Sequence, residues 1–406
     1  MNRENLGPLS GLRVLELATN VAGPFGGTLF AEFGAEVIKV EIPGTGDPAR
    51  HFAPFYGGKS LTYAVLGRNK KSVTLDLRKP RGQELLKRLV KISDVLIENF
   101  RPGTMEKWGL GYHELKQANP GLIMVRVSGF GQEGPYKDRA AFDRVASGMG
   151  GLTYLTGYPE SPPVRVGLNL CDEIAGLFSA FGAMVALYRR DCGDQKKGQW
   201  IDVSLCESIL RMLEGVIAEY GKLGTIRERS GNLNEVVAPA DNFLSRDGGW
   251  IVFVVTSDGL FQRFAKAIGR EDLAQDPRFL KNLDRLKHRD ALHEMIRPWF
   301  QERTVSEIDK IFGEKGIPYG LVYNARDICE DPQNQFRENI VEVPDPDIGP
   351  IQMQNVTPRL SETPGKVRSG APGLGEHNQE VWGGFLGLTE GELARNQASI
   401  ENRIIQ

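Results

Sequence analysis

At 406 residues, 40% of them hydrophobic and 25% charged, the chain has the length and composition of a soluble globular protein with two domains or one large domain carrying an insertion. Its formal net charge of −2 supplies no global attraction for nucleic acid or for an anionic membrane, so a polyanionic ligand would need a local basic cluster. No run approaches the roughly 20 continuous apolar residues of a bilayer span, and the segment MNRENLGPLSGLRVLEL lacks a signal-peptide core.

GLRVLEL (11–17) reads as a buried strand, AGPFGG (22–27) as a turn, TLFAEFGA (28–35) as a helix and EVIKVE (36–41) as the next strand. SVTLDL (72–77) is a strand and PRGQELLKRLVKIS (80–93) a helix with Leu85, Leu86, Leu89 and Val90 on one face. DVLIENF (94–100) is a strand, a helix is expected near 104–117, and LIMVRVSG (122–129) is a strand again. This alternation predicts an α/β protein with a parallel, Rossmann-like sheet whose ligands gather beyond the strand C-terminal ends. A long apolar helix opens near Asp172, GQWIDVSL (198–205) is a strand, and 206–224 reads as one long amphipathic helix.

Residues 225–242 read as a polar linker. A smaller α+β domain is expected over 243–331, with strands at 250–256 and 318–324 and helices at 258–268, 285–301 and 304–315. From 332 the chain is rich in Pro and Gly, ends in a short helix at 389–397, and is expected to wrap back onto the first domain. The expected division is therefore 1–224 with 332–406, and 243–331.

The first βα turn has the layout of a dinucleotide site but not its spacing: Gly23-Pro24-Phe25-Gly26-Gly27 is not G-x-G-x-x-G, and Pro24 removes an N–H donor. The five histidines include no i,i+4 pair, since His288 and His293 are five apart, and there is no GxSxG elbow, so neither a metal site nor a hydrolase triad is expected. Cys171, Cys192, Cys206 and Cys329 form no CxxC pair, which suits reduced thiols and a cytoplasmic location. Arg68, Lys70 and Lys71 precede one strand, Arg78, Lys79 and Arg81 follow it, and Arg101 and Lys107 follow another. Each alone is a surface charge; together they could hold the phosphates of a nucleotide such as coenzyme A.

Asp172 and Glu173 open the apolar helix in PPVRVGLNLCDEIAGLFSAFG (162–182). An Asp here caps free backbone N–H groups, or it acts chemically. The helix dipole favours its ionised form, which is a nucleophile toward an activated acyl group, and the helix end offers N–H groups to an oxyanion. The residues alone leave both readings open.

GLRVLELATNVAGP, FGAEVIKVEIPGTGDPAR, NKKSVTLDLRKPRG, VLIENFRPGTMEKWGLGY, NPGLIMVRVSGFGQEGPY and APGLGEHNQEV follow, in order, the pattern of the family III CoA-transferases, and the chain resembles that family over nearly its whole length. The resemblance implies a Rossmann-like large domain whose parallel sheet is built from both chain ends, an inserted smaller domain, and an interlocked dimer with itself or a close paralogue. It also implies Asp172 as nucleophile in a double displacement that passes coenzyme A from an acyl-CoA to a carboxylic acid, with a dicarboxylic donor such as succinyl-CoA. Coenzyme A is then a substrate moiety and no resident cofactor is expected. Carried over residue by residue, the coenzyme contacts are Val21, Ala22, Leu75, Arg78, Asn99, Phe100 and Lys107, with Arg139 a phosphate candidate and Asp143 an acidic position near the site. The related racemases carry a histidine where this chain has Phe142, and a second carboxylate near Asp258. Thr19 and Val21 replace a histidine and a glutamine of formyl-CoA transferase, whose run of flap glycines is missing from RERSGNLNEVV (227–237). Acyl-CoA racemisation and a catalytically idle coenzyme-binding subunit are the alternative readings.

Overall fold

The computed structural model describes residues 7–389 and 391–392. These fall into two compact units: Tyr154–Val164 with Gly224–Asn334 form one, and the other described residues form the other.

The first unit is built on a six-stranded sheet. Its strands are β1 (Arg13–Glu16), β2 (Glu36–Glu41), β3 (Lys71–Thr74), β4 (Val95–Glu98), β5 (Ile123–Ser128) and β6 (Trp200–Ser204). They lie in the order 3-2-1-4-5-6 and every neighbouring pair is parallel. This is the doubly wound arrangement, with its switch point between β1 and β4. Both faces are covered, so the strands are near-continuous apolar runs. Val14, Val37, Ile97 and Val125 face one core, while Leu15, Ile38, Leu96 and Met124 face the other.

The helices that position the site are α1 (Ala22–Glu32), α2 (Pro80–Val90), α3 (Asp143–Met149) and α4 (Leu170–Cys192). AGPFGG, expected as a turn, is the first part of α1. Pro24 falls in its opening turn, where the missing N–H is not needed. The glycines there serve packing. A Cβ on Gly176 of α4 would stand 2.6 Å from the Ala22 carbonyl oxygen and 3.1 Å from Gly26 N, so the two helices meet backbone to backbone. A Cβ on Gly27 would stand 1.9 Å from Glu16 Oε2, a carboxylate with no solvent exposure.

Other expectations need correction. Every strand of the parallel sheet precedes residue 205, so the C-terminal segment adds no strand to it among the described residues. It returns instead to the open edge at β3, where Thr74 N–H donates to Asn378 Oδ1 (2.8 Å) and His377 N–H to the Ser72 carbonyl (2.9 Å), while Val381 and Trp382 enter the core. Covering the edge this way blocks edge-to-edge pairing with another chain. The helix expected over 206–224 breaks into Leu205–Leu210 and Val216–Leu223, with Glu214 at φ 49° between them. The one near 104–117 breaks into Thr104–Lys107 and Tyr112–Ala118 around Gly109 at φ 64°. The helix expected at 389–397 lies for the most part outside the described residues. Finally, α4 is long and apolar enough to cross a membrane by length and composition, with a mean hydropathy of 1.6 over 18 residues, and 39% of that window is buried inside the protein.

In the second unit Ala240–Leu244, Trp250–Val254 and Tyr319–Leu321 form an antiparallel three-stranded sheet. It packs with helices around Phe243, Phe253, Phe264, Phe300 and Phe312. The end of the expected linker, 240–242, is thus part of a strand.

Gly27→Ala is expected to lower Tm by several degrees, because the added methyl must displace the buried Glu16 carboxylate; an unchanged thermal unfolding curve would contradict this packing.

Candidate active site

The strand ends at the switch point are held by buried charge. Lys39 Nζ contacts Glu16 Oε1 (2.8 Å), Asp47 Oδ2 (2.6 Å) and the Ala18 carbonyl (3.0 Å). Lys70 Nζ contacts Glu16 Oε2 and the Pro24 carbonyl, both at 2.7 Å. Burial pushes the Lys70 amine down to about 8 against the pull of Glu16, whereas Glu16 and Asp47 overcome burial at Lys39 and raise it. Asp47 Oδ1 also accepts the Asn20 N–H (3.0 Å), tying the loop after β1 to the loop after β2. Three of the basic residues grouped in the sequence are therefore committed internally: Arg68 to Glu32, Lys70 to Glu16, and Lys71 to Glu36 and Glu380. Arg68 and Lys70 stand just before β3 and Lys71 opens it, so these charges serve the fold at the start of that strand.

Beyond the C-terminal ends of β1, β2, β3 and β4 lies a cavity of about 290 Å³. Leu17, Ile42, Leu75, Arg78, Phe100 and Trp108 line it, with Phe100 and Trp108 edge to face at 5.2 Å. Leu75, Arg78 and Phe100 are thus brought together. The Arg78 guanidinium lies on Asp76 (2.7 and 3.0 Å), and Lys107, next to Trp108, is exposed with no carboxylate partner among the described residues. Asn99 does not line the cavity: its Oδ1 accepts the Thr19 N–H (2.8 Å) and its Nδ2 donates to the Thr19 carbonyl (2.7 Å), bracing the β1 loop against the β4 loop. Glu98 Oε2 accepts the Phe100 N–H (2.8 Å) while Oε1 meets Arg126 (2.8 Å), and burial pushes its carboxyl up to about 7 despite that partner.

Val21 caps α1 and lines a second cavity; Ala22 belongs to the core beneath it. Arg139 is exposed and lies over the Tyr136 ring at 4.6 Å, on neither cavity wall. Asp258 is tied to the buried Arg285 (3.0 Å) and to the Asn282 N–H (3.0 Å); these contacts and Lys281 outweigh burial and hold its carboxyl low. A base for proton abstraction needs the opposite shift. Phe142 is 72% exposed at the start of α3.

Asp172 sits at the third position of α4, and the cap it was expected to compete for belongs to another residue. Asp143 Oδ1, from the first position of α3, accepts the Cys171 N–H (2.8 Å) and the Asp172 N–H (3.4 Å). The Glu173 N–H reaches the Asn169 carbonyl (3.1 Å). Two expectations change. The α4 donors proposed for an oxyanion are already occupied. And Asp172 is not held ionised by the dipole: burial first, then the Asp143 charge, then Glu173 push its carboxyl up to about 7. Its side chain accepts no hydrogen bond among the described residues. A half-buried carboxylate this basic, unemployed in the fold, is suited to nucleophilic attack. Sequence reasoning had no means of pairing Asp143 with residue 171, since 28 residues separate them.

A family model, CoA-transferase family III, matches residues 9–378. The chain is 48% identical over 392 residues to succinyl-CoA–D-citramalate CoA-transferase of Chloroflexus aurantiacus, covering 96% of this chain and 97% of that protein. It is 42% identical over 390 residues to the succinyl-CoA–L-malate CoA-transferase beta subunit of the same organism, covering 95% and 96%. A solved CAIB/BAIF family protein from Brucella suis matches with a TM-score of 0.83 at 33% identity, covering 93% of this chain and 99% of that one.

Infrared titration of the Asp172 carboxyl, taken as the difference between the protein and its Asp172→Asn variant, is expected to show a midpoint near neutrality. Asp143→Asn keeps an oxygen acceptor for α4 but removes the like charge, so the midpoint moves to lower pH. A midpoint in the ordinary aspartate range, or one unmoved by Asp143→Asn, would contradict this electrostatic account.

Proposed function

The chain belongs to CoA-transferase family III, and from that premise we propose that it passes coenzyme A from a dicarboxylic acyl-CoA, succinyl-CoA first among them, to an acceptor carboxylic acid, with Asp172 as the covalent carrier. The observation that carries the mechanism is the Asp172 carboxyl itself, pushed up to about 7 and accepting no hydrogen bond among the described residues. The dicarboxylic donor is supported by the relatives that act on succinyl-CoA with D-citramalate and L-malate.

Ionised Asp172 attacks the thioester carbonyl; the C–S bond breaks, giving a mixed anhydride and the coenzyme thiolate. The thiolate attacks the aspartyl carbonyl, and the donor acid leaves as its carboxylate with one of the aspartyl oxygens. The acceptor carboxylate then attacks the aspartyl thioester, forming a second anhydride and releasing thiolate. Attack of that thiolate on the acceptor's carbonyl frees the new acyl-CoA and restores Asp172. Each step exchanges one activated acyl group for another, so no net proton, electron or phosphoryl transfer enters the balance.

On this reading the cavity of Leu75, Arg78 and Phe100 takes the nucleotide end of the coenzyme, its apolar walls suiting the base and the rim cations Arg78 and Lys107 the phosphates. Asn99 and Ala22 shape that region from behind, Val21 adjoins the reacting end, and Asp143 acts through Asp172. Arg139 is an outer phosphate contact. The smaller inserted domain is then the second unit, Tyr154–Val164 with Gly224–Asn334, rather than 243–331 alone, and the working form is an interlocked dimer with itself or a close paralogue. The exposed apolar stripe of Leu177, Phe181, Val185 and Tyr188 along α4 supports such a dimer, as does a relative named as a beta subunit. The partners are then acyl-CoA and carboxylic acids, neither nucleic acid nor membrane, and the free thiol of Cys192 at the surface suits the cytoplasm.

Incubation with succinyl-CoA followed by borohydride should convert Asp172 to the corresponding alcohol, seen by peptide mass spectrometry, and Asp172→Ala should show neither adduct nor turnover. Full transferase activity in Asp172→Ala would end the reading. Lys107→Ala is expected to raise KM for acyl-CoA more than KM for the acceptor acid; equal changes in both would remove Lys107 from the coenzyme site.

A further inference from the structure

The second cavity, of about 750 Å³, lies in the first unit against the opening turn of α4, where Asn169 and Glu173 on its wall flank Asp172. Val21, Phe25, Leu61 and Val65 give it an apolar lining. Two guanidinium groups reach it. Arg68 is neutralised by the buried Glu32, through Nε at 2.8 Å, and also donates to the Gln354 carbonyl (2.7 Å). Arg165 differs. Its Nη2 donates to Asn169 Oδ1 (3.0 Å) and to the Leu168 carbonyl (3.3 Å), both uncharged, and no carboxylate pairs with it among the described residues.

Asn169 is the N-cap residue of α4, and an Asn there ordinarily turns its side-chain oxygen onto the helix N–H groups. Here Asp143 does that from α3, and the Asn169 oxygen holds Arg165 instead. The exposed guanidinium is therefore oriented without being neutralised, on the wall of a cavity that Asn169 and Glu173 on either side of Asp172 also line. A fixed, uncompensated guanidinium is matched to a planar carboxylate, which it binds through two parallel N–H donors. Of the carboxylates on the wall, Glu32 is paired with Arg68, and Glu173 makes no ion pair with Arg165 among the described residues.

Resting on the reading of Asp172 as nucleophile, we propose that this cavity is the acyl subsite and that Arg165 receives the distal carboxylate of a dicarboxylic acyl group whose reacting carbonyl lies at Asp172. Donor and acceptor acids pass through the same aspartyl anhydride, so one cation selects both. The apolar walls between the two ends accommodate the methylene chain.

The test compares succinyl-CoA with butyryl-CoA, which has the same chain length without the distal carboxylate, in single-turnover formation of the Asp172 adduct. The unaltered protein should prefer succinyl-CoA. Arg165→Gln should lose that preference by roughly tenfold or more, as expected for a charge-assisted pair, while its butyryl-CoA rate stays the same; Arg165→Lys should lose less. The retained butyryl-CoA rate also shows that the variant is folded. Equal loss on both thioesters would assign Arg165 to the coenzyme phosphates or to the fold, and overturn the proposal. So would an unchanged preference in Arg165→Gln, or no preference in the unaltered protein. Failure of both thioesters to form an adduct in the unaltered protein would instead remove the nucleophile reading, and this one with it.

Discussion

One carboxylate decides what another can do. Asp143 reaches across from the start of α3 to two otherwise unpaired backbone donors of α4 and satisfies them. A helix end buried without such a partner is unstable, and the residues of α4 itself that could supply one are Asn169 at its N-cap and Asp172 in its first turn. Because Asp143 takes the task, Asp172 is released from the fold, and burial first, then the charge of Asp143, make Asp172 harder to ionise and more basic once ionised. Capping and activation are two consequences of one contact. The same contact frees the Asn169 side chain, which turns to Arg165.

That contact is only as good as the placement of α4, and α4 is placed by close approach to α1. Glycines at 26 and 176 let the backbones meet, and Gly27 leaves room for the Glu16 carboxylate beneath. Glu16 in turn shares two buried ammonium groups, Lys39 and Lys70, with the strand ends. Removing one member of such a set strands the others without solvent or partner, which is far more costly than a surface pair is stabilising. The loops after β1 and β2 are therefore tied together where they border the cavity lined by Leu75, Arg78 and Phe100.

Much of the architecture was legible in advance. The strands of the parallel sheet are apolar runs bounded by turns, and periodicity locates them because a sheet covered on both faces tolerates nothing else. Asp172 stood out as a charge heading an apolar helix. What stayed hidden depended on contacts between distant residues. AGPFGG looked like a turn because glycine and proline usually punctuate; only the presence of α4 against it makes the small side chains a packing surface. Arg68, Lys70 and Lys71 looked like solvated charges because their partners Glu32, Glu16 and Glu36 come from other elements. The dipole argument predicted an ordinary ionised Asp172 and failed because burial and a second carboxylate outweigh it, neither of which periodicity reports. The breaks at Gly109 and Glu214 are left-handed backbone positions inside otherwise helical patterns.

The central claim is that an Asp172 oxygen is exchanged with the substrate acids during transfer. In the double displacement the departing acid takes one aspartyl oxygen and the acceptor returns one of its own. A single turnover, with enzyme in excess over succinyl-CoA and an acceptor acid carrying heavy oxygen in its carboxylate, followed by peptide mass spectrometry, is the most direct measurement. The account predicts one heavy oxygen in the peptide that contains Asp172, and in no other. Turnover that leaves this peptide unlabelled would contradict it.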